Sequence, residues 1–122
     1  MFYRIISDDI DKISSSLIEL SDNDMTDIII TTGGTGLSPR DITPEATKNV
    51  LDKEIPGISE AMRLETLKKT NLSMLSRGIS GLRKKCLIIN LPGSPKAVEE
   101  CMEIIEPVLG HALTIISGQT FH

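Results

Sequence analysis

Apolar residues follow one another along this chain in two rhythms. Ile10, Ile13, Leu17 and Leu20 recur at helical spacing, and Asp8 or Asp9 stands where a carboxylate accepts the free N–H groups of a first turn, so a helix is predicted there. Uninterrupted runs mark strands instead: Ile28-Ile29-Ile30 within residues 27–32, and Cys86 to Asn90, both of the kind covered on two faces of a sheet. Phe2 to Ile6 is short and partly β-branched, and predicts an edge strand that runs into Ser7-Asp8-Asp9.

Between these runs the punctuation predicts more helices. Thr43 is read as a cap, with Pro44 at the first helical position and Glu45 complementing the positive end of the dipole; this helix ends before Ile55-Pro56-Gly57. A second helical pattern runs from about Ile58 to Lys68, and residues 70–82, broken by Gly78 and Gly81, read as loop and short helix. Ser94 caps and Pro95 opens a helix whose apolar face is Val98, Cys101, Met102 and Ile105, and a separate last helix follows Pro107. The order β-α-β-α-α-β-α-α predicts a single α/β domain over residues 1–122, with a mainly parallel sheet.

Composition narrows the function classes. At 122 residues and 39% hydrophobic content the chain holds one modest core, built from aliphatic residues because aromatics are only 2%. With few rings for base stacking and a net charge of −4, nucleic acid is not an expected partner, and phosphate recognition must be local. No run approaches the roughly 20 apolar residues of a membrane span, and no secretory signal pattern opens the chain, so a cytoplasmic protein is expected. Cys86 and Cys101 read as two buried thiols, and His111 and His122 lack metal-ligand spacing. From Arg63 to Lys85 seven basic residues meet one acid, Glu65, a local net of +6 that either focuses anions into a cleft or forms a solvated basic face.

Ligands of open parallel sheets lie beyond the carboxyl ends of the strands, and here those ends carry three distinctive loops: Ser7-Asp8-Asp9, Gly33 to Thr43, and Leu91 to Pro95. Glycines let a backbone approach an anion, and helix starts add favourable partial charge, so Gly33-Gly34-Thr35-Gly36 and Pro92-Gly93-Ser94-Pro95 read as phosphate cradles; a tight turn and a plain helix start are their simpler readings. Asp41, in the same loop as the glycines, is a candidate oxygen ligand for Mg2+ beside nucleotide phosphates, with Asp8 as the second candidate.

TTGGTGLSPRDITPEAT, then IPGISEAMR, MLSRG and LIINLPGSPKAVEECMEII, resemble in content and order the MogA/MoaB family of molybdenum-cofactor biosynthesis proteins. The resemblance runs from about Ile5 to Ser117, departs from the family at Ser7, where proline is common, and covers only the later part of the family's domain. Met1 stands where the family's second strand begins, so an N-terminally truncated domain lacking the family's first strand and helix is expected. It implies a three-layer, molybdopterin-binding-like fold and a nucleotidyl transfer. The terminal phosphate of molybdopterin attacks the α-phosphorus of ATP, with Mg2+, giving adenylylated molybdopterin and pyrophosphate. Carried over by motif, Asp8 and Asp41 position metal and phosphates, Gly34, Thr35 and Gly36 lie against nucleotide and pterin, and Glu60 lines the nucleotide side. Ser76 and Arg77 face the anionic ligand, and Gly93, Ser94 and Pro95 complete the site. The resemblance also implies a homo-oligomer, trimer or hexamer. The alternative reading is a noncatalytic oligomeric module that binds the same pterin and nucleotide.

Overall fold

The computed structural model describes residues 2–118. Its centre is a four-stranded sheet of β1 (Ile28–Thr32), β2 (Lys53–Glu54), β3 (Ser80–Arg83) and β4 (Cys86–Leu91), ordered β1-β4-β3-β2. β1 runs parallel to β4, whereas β3 pairs antiparallel with both β4 and β2. Four helices cover it: α1 (Ile10–Ser21), α2 (Thr43–Lys48), α3 (Pro56–Leu67) and α4 (Pro95–Ile116), and a 3-10 turn spans Asn71–Leu75.

Alternation along β4 builds two cores. Cys86 and Ile88 point to one face, where Ile13 and Leu17 of α1, Ile29 of β1, and Ala46 and Val50 around α2 pack on them. Leu87, Ile89 and Leu91 point to the other, against Met62 of α3 and Cys101 and Ile105 of α4. Every residue of β4 is buried. The α/β class and the layering with helices on both faces are therefore as expected, on a sheet that is mixed, because β2 and β3 enter antiparallel to their neighbours.

Several local expectations are corrected. Phe2 to Ile6 forms no strand: it pairs with no other backbone among the described residues, and Phe2, Tyr3 and Ile5 stay 66–83% exposed, while Arg4 reaches Glu19 of α1 at 3.2 Å. β1 is an edge strand with Ile30 36% exposed, so only β4 is covered on both faces. β3 lies in the stretch that reads as loop, because Ser80-Gly81-Leu82-Arg83 lacks alternation and owes its extended form to pairing with β4. Asp9, rather than Asp8, caps α1 by accepting from the Lys12 N–H at 3.0 Å. Thr43 makes no cap bond and lies inside α2, against Gly34. Finally, α4 continues through Pro107 as one helix. Proline removes the bond to the Glu103 carbonyl, but both residues are exposed, so that carbonyl stays on the solvent side.

Candidate functional site

Parallel pairing brings two of the three loops together. Thr32 is in register with Leu91, and the Gly33 N–H donates to the Leu91 carbonyl at 3.0 Å, so both chains leave the sheet side by side. Gly33 and Gly34 then turn with φ of 86° and 71°, a region that side-chain-bearing residues rarely adopt. Gly93 packs so closely on Gly33 that a Cβ there would lie 3.2 Å from the Gly33 Cα. Ser94 accepts from the Ala97 N–H at 3.2 Å and starts α4 at this junction, a 22-residue helix that brings its positive end here. Two glycine backbones and a helix start thus converge, as anion binding requires.

Asp41 is fixed in the first loop. Its Oδ2 accepts from the Ser38 N–H at 3.1 Å and lies beside Gly36, which leaves Oδ1 with no hydrogen-bond partner among the described residues. Arg77 then clamps the loop from outside: Nε donates to the Gly36 carbonyl at 2.8 Å, Nη2 to the Asp41 carbonyl at 2.6 Å, and Nη1 to Glu45 at 2.6 Å. The Glu45 carboxyl is held below its ordinary value by this hydrogen bond, and the guanidinium of Arg77 is pushed up by the same pair. Expected to face an anion, Arg77 instead holds the loop, because Glu45 and two carbonyls occupy its donors. The Arg77 N–H also reaches the Thr35 carbonyl at 2.8 Å, and Thr35 is buried.

Beside the junction lies a cavity of about 260 Å3. α3 contributes Ser59, Met62, Arg63 and Thr66 to its wall, and α4 contributes Ala97, Glu100 and Cys101. Ser76, Gly78, Asn90, Pro92 and Ser94 close it on the side of the loops. Most of its polar atoms are already used. Asn90 donates to Thr31 at 2.9 Å and to Thr47 at 3.0 Å, and accepts from the Ile79 N–H at 3.2 Å. Thr66 donates to the Met62 carbonyl, and Arg63 donates through Nη1 to the Gly78 carbonyl at 2.8 Å.

Of the expected residues, Gly33 meets Gly93 across the junction, Gly34, Thr35, Gly36 and Asp41 follow in the first loop, Pro95 opens α4 after Ser94, and Ser76, Pro92 and Ser94 line the adjoining cavity. Asp8 is an exposed turn residue before α1, and Glu60 is exposed on α3 outside the cavity wall. No cluster of three or more His, Cys, Asp or Glu suited to a metal exists among the described residues. One anchored carboxylate with a free oxygen does suit Mg2+ that is carried largely by nucleotide phosphates. Five of the seven bases of the basic segment carry an ion pair: Lys68 pairs with Glu65, Lys69 with Glu100, Arg77 with Glu45, and Arg83 and Lys84 with Asp22. Burial pushes the Cys86 thiol up to about 11, and both cysteines are free, as expected. His111 is exposed, and His122 lies outside the described residues.

Residues 1–111 match the family described as "Probable molybdopterin binding domain". The chain belongs to that family. It is 47% identical over 116 residues to a molybdopterin adenylyltransferase of Helicobacter pylori strain J99, a match that covers 95% of this chain and 66% of the relative. It is 41% identical over 110 residues to the molybdopterin adenylyltransferase of Escherichia coli K12, covering 90% of this chain and 56% of that protein. The chain thus spans less than two thirds of the length of both relatives. Among solved structures, the molybdopterin biosynthesis enzyme MoaB of Thermus thermophilus superposes with a TM-score of 0.85 at 49% identity, over 94% of this chain and 72% of that one. No described helix of this member of the molybdopterin-binding family is long and apolar enough to cross a membrane.

Four residues of the site escaped the sequence. Glu45 reads as a helix-dipole partner until Arg77, 32 positions later, is placed on it. Asn90 is masked by the apolar run that surrounds it, and Arg63 by the basic segment around it. Glu100 looks like any acid on a helix. A polar residue inside a buried-strand pattern was the one available signal, and it belonged to Asn90.

Proposed function

We propose that this domain binds ATP and molybdopterin and catalyses Mg2+-dependent adenylylation of the pterin. The observation that carries this reading is the junction of the two glycine loops at the start of α4, opening beside a cavity of about 260 Å3. An anion-binding backbone cradle next to a mostly apolar cavity suits a ligand with a phosphate at one end and a heterocycle at the other.

The work left to the protein is alignment and charge control. A phosphate oxygen of molybdopterin forms a bond to the α-phosphorus of ATP as the bond to the pyrophosphate oxygen breaks, so no protein nucleophile is needed. N–H groups at Gly34 to Gly36 and at the α4 start hold the phosphates in line, with Gly33 setting the turn that presents them. Asp41 would hold Mg2+, with Asp8 as the second carboxylate, and the ion would neutralise charge on the phosphates. Ser76, Pro92 and Ser94 border the pterin end, and Glu60 lies toward the nucleotide.

We also place the protein in the cytoplasm as a homo-oligomer, since Leu72, Met74 and Leu75 of the 3-10 turn are 46–70% exposed and suited to cover by a second copy. The purified chain, supplied with molybdopterin, ATP and Mg2+, is expected to form adenylylated molybdopterin and pyrophosphate. Binding of both ligands without product would instead favour the noncatalytic module.

A further inference from the structure

We propose that Glu100 reads the 2-amino-4-oxopyrimidine edge of the ligand in the cavity, an inference that rests on the pterin-binding reading above. Among the described residues Glu100 is the one carboxylate in the cavity wall, and its side chain is only 14% exposed. Its partner among the described residues is the Lys69 ammonium at 3.7 Å, too long for a good hydrogen bond, and Lys69 is itself 57% exposed. A carboxylate so shielded, with acceptor capacity left over, is unfavourable until a donor arrives.

The neighbouring polar groups narrow the choice of donor. Asn90, Thr66 and Ser94 are committed to partners inside the protein, as is Ser59, which is hydrogen-bonded to Ser80. Among the described residues Glu100 is therefore the one charged acceptor left to orient an occupant, beside the Ser76 hydroxyl and the remaining donors of Arg63. A negative charge in a site for a phosphorylated ligand is tolerable only away from the phosphate. Glu100 is six residues beyond Ser94, about 9 Å along α4 from the cradle. A carboxylate accepts two parallel N–H bonds, and a 2-amino group beside a ring N–H offers that pair. Pterins carry this edge, and so does guanine.

The test uses 6-hydroxymethylpterin, its lumazine counterpart with oxygen in place of the 2-amino group, GMP and ATP, titrated against wild type, Glu100→Gln and Lys69→Met. Wild type is expected to prefer the pterin to the lumazine by about tenfold or more. Glu100→Gln should lose that preference while its ATP affinity holds, which also shows that the variant is folded, and Lys69→Met should keep it. An undiminished preference in Glu100→Gln, or none in wild type, overturns the proposal. Preference for GMP over the pterin would support the edge reading and overturn the pterin assignment above. Intact pterin preference without adenylyl transfer would support Glu100 and overturn only the enzymatic reading.

Discussion

Asp41 divides its carboxylate between two tasks, and a single substitution separates them. Oδ2 holds the loop through the Ser38 N–H, a bond that the asparagine oxygen can also accept, whereas the charge serves the metal. Asp41→Asn is therefore expected to lower adenylyl transfer by about 100-fold while the thermal midpoint stays nearly constant; unchanged turnover would remove Asp41 from the mechanism. Glu45 carries a different signature. Because Arg77 lowers its folded pKa below the ordinary 4.5, its contribution to stability is complete above that value and is lost as the pH falls through the lowered one. With both side chains more than a third exposed, the pair is worth about 0.5 kcal/mol. The advantage of wild type over Glu45→Gln should be constant from pH 7 to 5 and narrow below 4.5, as read from thermal midpoints. The place of Asp41 in the glycine loop was legible in the sequence because its motif is local, whereas the hold of Arg77 on that loop was not, because it depends on Glu45, 32 positions away.

At the level of elements, what the chain announced was periodicity, and what it concealed was pairing. α1, α3 and β4 follow from spacing alone, since their buried residues recur at the periods of a helix or fill a run. β2 and β3 are held by partners, and Phe2 to Ile6, with strand composition but no pairing among the described residues, leaves Phe2, Tyr3 and Ile5 exposed and packs only Ile6 on the core. The uninterrupted α4 is the opposite case, a local rule overridden by packing. Val98, Cys101, Met102, Ile105, Leu109, Ala112 and Ile116 lie along one apolar face that spans the proline. Pro107→Ala should restore the missing backbone bond and raise stability by about 1–2 kcal/mol, net of the proline's restraint on the unfolded chain. Chemical denaturation would measure it, and a fall in stability would mean that the helix is not continuous there.

For the whole molecule, the sequence motifs carried the family and the α/β layering, while the arrangement of the site needed the register of β1 on β4, which no motif encodes. That register alone sets Gly33 against Gly93. β4 has a further consequence. Its odd and even residues belong to two different cores, so neither helical layer can part from the sheet without exposing one side of the same six-residue strand. The layers therefore cannot melt independently, and the domain should unfold as one cooperative unit, with the β4 amides exchanging hydrogen only when the entire fold opens.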